Sequence, residues 1–190
     1  MPRTEEQFKE IRELKRSQIM DSALALFAEK GFASTSINMI ATKTNISKGL
    51  IYNYFVSKED LIRTILTNGF NEFLSIFDAN KDGVLTEKEF VYFINQTFDI
   101  LKANTTFWRL YFAVMAQPKV LKLIEHELME LVMPFIFTLE EYYKTKGVEN
   151  PMAYARLIGA ILDGVSLNYI MDPDSFPLEE IRKIIINKFT

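Results

Sequence analysis

The sequence has no cysteine, one histidine, one tryptophan and no long uninterrupted apolar stretch. Without cysteine there can be no disulfide, no thiolate nucleophile and no thiolate metal ligand. That fits a reducing compartment, and a cytoplasmic location is expected. The N-terminus is charged rather than apolar, so no signal peptide is legible. No apolar run is longer than seven residues, and one of that length, Leu131–Phe137, contains Pro134. A membrane-spanning helix takes about 20 apolar residues, so no membrane partner is expected. The single histidine, His126, sits among Glu125, Glu127 and Glu130. Such a setting is more typical of a solvated helix face than of a general base. There is no glycine-rich phosphate loop, and no nucleophile motif surrounds any serine. An enzyme is not expected, and no cofactor is required.

What is present is the composition of a folded protein with an aromatic interior: 48% apolar, 25% charged, with 16 Phe and 8 Tyr in 190 residues. That length holds one or two domains with a substantial core. Charge is unevenly placed. Residues 1–63 carry 10 Lys and Arg against 8 Asp and Glu, while residues 64–190 carry 12 against 17. The basic balance lies at the N-terminal end, the sign a nucleic-acid reader needs.

The stretch that organises the chain is Ile46–Leu61, ISKGLIYNYFVSKEDL. Ser47 can cap a short helix with its hydroxyl. Ile51 and Phe55 are four apart and share one face, which can anchor the helix. The opposite side carries Gly49 and Asn53, with Lys48 and Tyr52 on one edge and Leu50 and Tyr54 on the other. Gly49 costs helix stability, about 1 kcal/mol against Ala. A close approach by something outside would explain that cost. Ser57 can cap the next helix, with Asp60 three residues on and Glu59 in its first turn.

These residues meet every fixed position of the pattern S-K-G-x-[IL]-Y-x-[HY]-F-x-S-K-E-x-L. The stretch resembles the recognition helix and following helix of the tetracycline repressor (TetR) family. Upstream, Ala25-Leu26-Phe27, Glu29-Lys30-Gly31-Phe32, Thr35-Ser36 and Ile40-Ala41 agree as well, so the resemblance covers residues 12–62. Asn45 stands where the family usually has Gly, but Asn tolerates a left-handed turn. Leu50 replaces a residue that is often Thr or another small polar one. The resemblance implies a repressor acting as a homodimer on double-stranded DNA. Its recognition helices would enter successive major grooves of a near-palindromic operator, about 34 Å apart. Lys58 and Tyr52 are expected on phosphates, with Thr35 or Ser36 adding contacts at the second helix's start. Lys48 and Tyr54 would reach base edges or the groove wall, and Leu50 would favour a thymine methyl. Ser47, Gly49 and Asn53 complete the surface.

The rest reads as all-α. After a loose polar tail over 1–8, helices are expected over 9–30, from Thr35 or Ser36 to 44, in the stretch after Ser47, and over 58–77. Further helices follow over 86–102, 105–117, 118–146 with a kink at Pro134, 151–171 and 178–189. No strand-like alternation or repeat is visible. About nine helices divide into a DNA-binding domain, 1–57, and a body, 58–190, which is also the layout the family resemblance implies.

Three features of the body bear on function. Phe73, Phe77, Phe93, Phe107, Trp108, Tyr111, Phe112 and Met115 concentrate large side chains where TetR-like proteins bind a small effector; packing alone would also use them. With only Arg109 basic among them, an apolar or planar effector is expected. Ala153, Gly159, Ala160 and Gly164 put small residues along one helix, which permits close approach of another. They fit either packing within the chain or the two-fold interface the family makes with its last two long helices. Finally, Asp78–Glu89 matches D-x-[DN]-x-[DN]-G-x(5)-E and resembles an EF-hand calcium loop. Asp78, Asn80, Asp82, Val84, Thr86 and Glu89 would be the ligands to Ca²⁺ or Mg²⁺. The competing reading is a turn followed by a Thr86–Glu89 capping box. If the metal reading holds alone, the protein is a calcium-binding helical protein rather than a regulator.

Overall fold

A computed structural model describes residues 4–77 and 82–190, and these form nine helices and no strand. They are α1 (Glu5–Lys30), α2 (Ile37–Thr44), α3 (Lys48–Tyr52), α4 (Lys58–Phe77), α5 (Glu87–Ala103), α6 (Thr105–Met115), α7 (Pro118–Thr145), α8 (Pro151–Met171) and α9 (Leu178–Phe189). None is long and apolar enough to cross a membrane.

One expectation about helix limits is corrected: α1 begins at Glu5, inside the stretch expected to be a tail. Thr4 accepts from the Gln7 amide while the Gln7 side chain accepts from the Thr4 N–H, a reciprocal cap that starts the helix early. α7 spans Pro118–Thr145 with Pro134 inside it, close to the expected limits.

The chain forms two compact units. The first comprises Met1–Thr67 and Ala113–Glu125; the second comprises Asn68–Phe112 and His126–Thr190. In the first, Ile19, Ala23, Leu26 and Phe27 of α1 are buried at the expected helical spacing, with Ile37, Ile40 and Ile51. Gly31 (φ 82°) and Asn45 (φ 53°, ψ 47°) end α1 and α2 in left-handed conformations. Asn45 thus supplies the turn that the sequence leaves to it. Gln117, after α6, closes a junction far off in sequence. Its Oε1 accepts from the Phe32 N–H at 2.8 Å, and its Nε2 donates to the Phe27 carbonyl at 2.9 Å.

The second unit is built on rings. Phe90 stacks on Tyr142 at 5.4 Å, and Phe77, Phe93 and Phe135 meet pairwise at 4.3–5.6 Å. Lys102 and Arg182 tie α5 to α9 through Glu179 and Asp99.

Candidate nucleic-acid interface

The centre of the interface is α3, a helix of only five residues. So short a helix is not stable alone. Ser47 Oγ accepts from the Leu50 N–H at 3.1 Å and caps it. Ile51, fully buried, and Phe55, 1% exposed, pin its inner face. With the inside held, Ser47, Lys48, Gly49, Tyr52 and Asn53 are left exposed on the outside, and Leu50 and Tyr54 are half-buried. Lys48 Nζ stands 5.9 Å from the Tyr52 ring. A methyl group built on Gly49 would meet only Ser47 Oγ, at 4.0 Å. The protein's own packing therefore does not require glycine there.

Two of the expected phosphate contacts are corrected. Thr35 is 1% exposed, and its hydroxyl donates to the carbonyls of Gly31 (2.9 Å) and Leu26 (3.2 Å). Lys58 turns inward. Its ammonium donates to the carbonyls of Phe32 and Thr35, both at 2.8 Å, and lies 4.4 Å from the Phe32 ring centre. A cation over a ring with two carbonyl acceptors is a structural clamp. It holds the turn from which α2 starts. Ser36 remains exposed as the α2 cap, accepting from the Met39 N–H at 3.3 Å.

The structure adds two residues to the recognition surface's support. Arg12 lies 5.7 Å from the Tyr54 ring and Arg16 lies 5.4 Å from the Phe55 ring. By sequence alone these arginines fit either phosphate contacts or a solvated face; their spacing of four on α1 puts them side by side.

The other expected sites fare differently. Phe73, Phe107, Trp108, Tyr111 and Phe112 form a continuous chain of ring contacts at 4.5–6.0 Å. Phe77 and Phe93 belong instead to the hydrophobic core, and Met115 to the first unit. The Trp108 indole N–H donates to the Ile100 carbonyl at 3.2 Å. Burial, with Asp163 adding to it, holds the Tyr111 hydroxyl far above the ordinary tyrosine range. Arg109, the one cation among these residues, donates to the Ile170 carbonyl at 3.1 and 3.3 Å.

In the loop, Asp78 and Asn80 lie outside the described residues. The described half is a turn and a cap. Asp82 Oδ1 accepts from the Val84 N–H, and Glu89 Oε2 accepts from both the N–H and the hydroxyl of Thr86. Glu89 is thereby committed to the start of α5. Among the described residues no cluster of acids or imidazoles is arranged to hold a metal. On α8, Ala153 and Ala160 are exposed, and methyl groups built on Gly159 and Gly164 would meet nothing within 4 Å. The small residues therefore do not serve packing among the described residues of this chain.

Residues 19–65 match the family of bacterial regulatory proteins named for TetR. Over that stretch the chain belongs to the TetR family. It is a DNA-binding transcriptional regulator, and the calcium-binding alternative finds no support among its relatives. One relative is the negative transcriptional regulator IcaR of the biofilm operon icaADBC in Staphylococcus epidermidis. It is 28% identical over 130 residues, covering 67% of this chain and 69% of that protein. The uncharacterised regulator YuxN of Bacillus subtilis is 50% identical, but over 52 residues, 27% of this chain and 18% of its own length. The TetR-like fold extends much further than such sequence matches. The FadR regulator of Bacillus subtilis, solved with stearoyl-CoA, superposes with a TM-score of 0.72 at 17% identity over 91% of this chain and 96% of that one.

Proposed function

We propose that this TetR-family regulator is a cytoplasmic, homodimeric repressor that binds a near-palindromic operator and is released by a small, largely apolar effector. The observation that carries the reading is the two-sided α3. Its inner residues are wholly buried, while Lys48, Gly49, Tyr52 and Asn53 stand together outside. Lys48 would read a base edge, Tyr52 and Ser36 would touch phosphates, and Gly49 would let the duplex approach the helix backbone. Leu50 would contact a thymine methyl. The region from residue 58 onward would take the effector and form the dimer. Selection of bound duplexes from a random pool tests this. A two-fold repeat with half-sites about 10 base pairs apart is expected, and recovery of no shared sequence would refute it.

For the effector, the supporting observation is the ring chain around Trp108. Its neighbouring cation, Arg109, is already engaged with a helix C-terminus. An apolar or planar guest suits that chemistry, as the acyl chain bound by the FadR regulator would. Titrating long-chain acyl compounds should quench the fluorescence of Trp108 and release operator DNA together. Release by a polyanion alone would overturn the assignment.

A further inference from the structure

The outer face of α8 carries an apolar stripe of Ala153, Leu157, Ala160, Gly164, Leu167 and Met171, spaced alternately by four and three residues. Leu157 is 46%, Leu167 42% and Met171 82% exposed. Such spacing is the seam of one helix packed along another. The stripe has an internal order. Counting from Ala160, a leucine three residues back balances a glycine four ahead, and an alanine seven back balances a leucine seven ahead. Folded back on itself about Ala160, the stripe sets each leucine against a small residue.

Charge repeats the pattern. Arg156 and Asp163 are seven apart and lie on the same edge of the stripe. Among the described residues neither has an ion-pair partner; Arg156 has only the Met133 sulfur, at 3.6 Å. Asp163 is exposed as a residue, yet protein surrounds its carboxyl closely enough to raise its pKa by burial. It therefore has much to gain from a cation. The edges decide the direction of pairing. Two parallel copies would set this edge against Tyr154, Ile161 and Asn168, and the Asn168 amide already donates to its own helix at Gly164. Two antiparallel copies, related by a two-fold axis across the helices, bring like edges together. Arg156 then falls about 1.5 Å along the axis from Asp163 of the second copy, twice over.

We propose that α8 pairs antiparallel with α8 of a second copy across a two-fold axis at Ala160. Leu157 then seats over Gly164, and Arg156 pairs with Asp163, each of the second copy. This rests on the proposed homodimer and specifies its register.

The absence of cysteine makes the test clean. Ala160→Cys should form a disulfide-linked dimer on mild oxidation, because its Cβ would lie about 4 Å from its symmetry mate. Mixing Leu157→Cys chains with Gly164→Cys chains should give the heterodimer crosslink and little of either homodimer. Arg156→Asp and Asp163→Arg should each weaken dimerisation by about tenfold or more in sedimentation, and the double reversal should restore it. Circular dichroism would confirm that each variant folds, and the exposed positions give no reason for unfolding. A wild-type dimer that crosslinks at none of these positions would overturn the register while leaving the homodimer standing. So would single reversals that weaken the dimer without rescue by the double reversal. A wild type that stays monomeric at all concentrations and on DNA would overturn both.

Discussion

The two compact units are held together by different kinds of interaction. In the first, single polar side chains close the helix junctions. Lys58 and Gln117 each bind two backbone groups around the end of α1 and the turn that follows, Thr35 binds two more, and Ser36 and Ser47 cap α2 and α3. In the second, rings fill the interior, with Phe90, Phe98 and Trp108 at most 1% exposed. Hydrogen bonds are directional, so they can hold a five-residue helix at one angle. Ring packing holds by volume and by many weak contacts, in either stacked or edge-to-face arrangements. A unit that must present a few side chains in fixed positions is thus built with directional groups. The ring-filled unit is the better suited to hold an apolar guest.

Substitutions can break this contrast, and the largest effect is expected in the second unit. Phe90→Ala should cost about 3–5 kcal/mol in denaturant unfolding, since Phe90 is fully buried. Phe90→Leu should cost far less, under about 2 kcal/mol, because volume is what matters there. Lys58 should behave in the opposite way. Lys58→Met keeps the bulk and loses both carbonyl bonds, so it should lower stability by about 2–3 kcal/mol, nearly as much as Lys58→Ala. If Lys58→Met melted like wild type and lost only DNA affinity, the inward clamp would be wrong and an outward phosphate contact right.

Gly69→Ala sharpens the comparison at a single atom. A methyl group there would stand 2.5 Å from the Tyr111 ring, so the ring must move. A loss of about 1–3 kcal/mol is expected, together with a changed Trp108 emission, because Tyr111 packs 5.3 Å from that indole. Unchanged emission would mean that the ring chain relaxes locally.

The smallest effect is expected from Thr86→Ala, which removes the α5 cap and should cost about 1 kcal/mol by thermal melting. The cost should be the same in millimolar Ca²⁺ and in EDTA. A loss present only with calcium would instead favour an ion at this loop.

Much of the interface was legible because its signals are local. The Ser47 cap, the buried pair Ile51 and Phe55, and the left-handed Asn45 each depend on residues within a few positions of one another. The early start of α1 is equally local, in Thr4 and Gln7, but its capping box precedes the apolar periodicity and lies in a stretch with the composition of a polar tail. The loop at 82–89 shows the converse. A ligand pattern and a turn with a capping box use the same residue types, and only the hydrogen bonds from Thr86 to Glu89 assign the carboxylate to the cap.

The sequence by itself determined the helices and the two-sided character of α3, because periodicity and capping are set by neighbours along the chain. Only the tertiary structure decided that Lys58 points inward, since its two acceptors lie 23 and 26 residues away. The same holds for Gln117, which closes a junction 85 and 90 residues distant. It was also the tertiary structure that left Gly159 and Gly164 facing open space. A long side chain near a helix start can satisfy a phosphate or a carbonyl equally well, and which one it meets depends on where the chain has folded back.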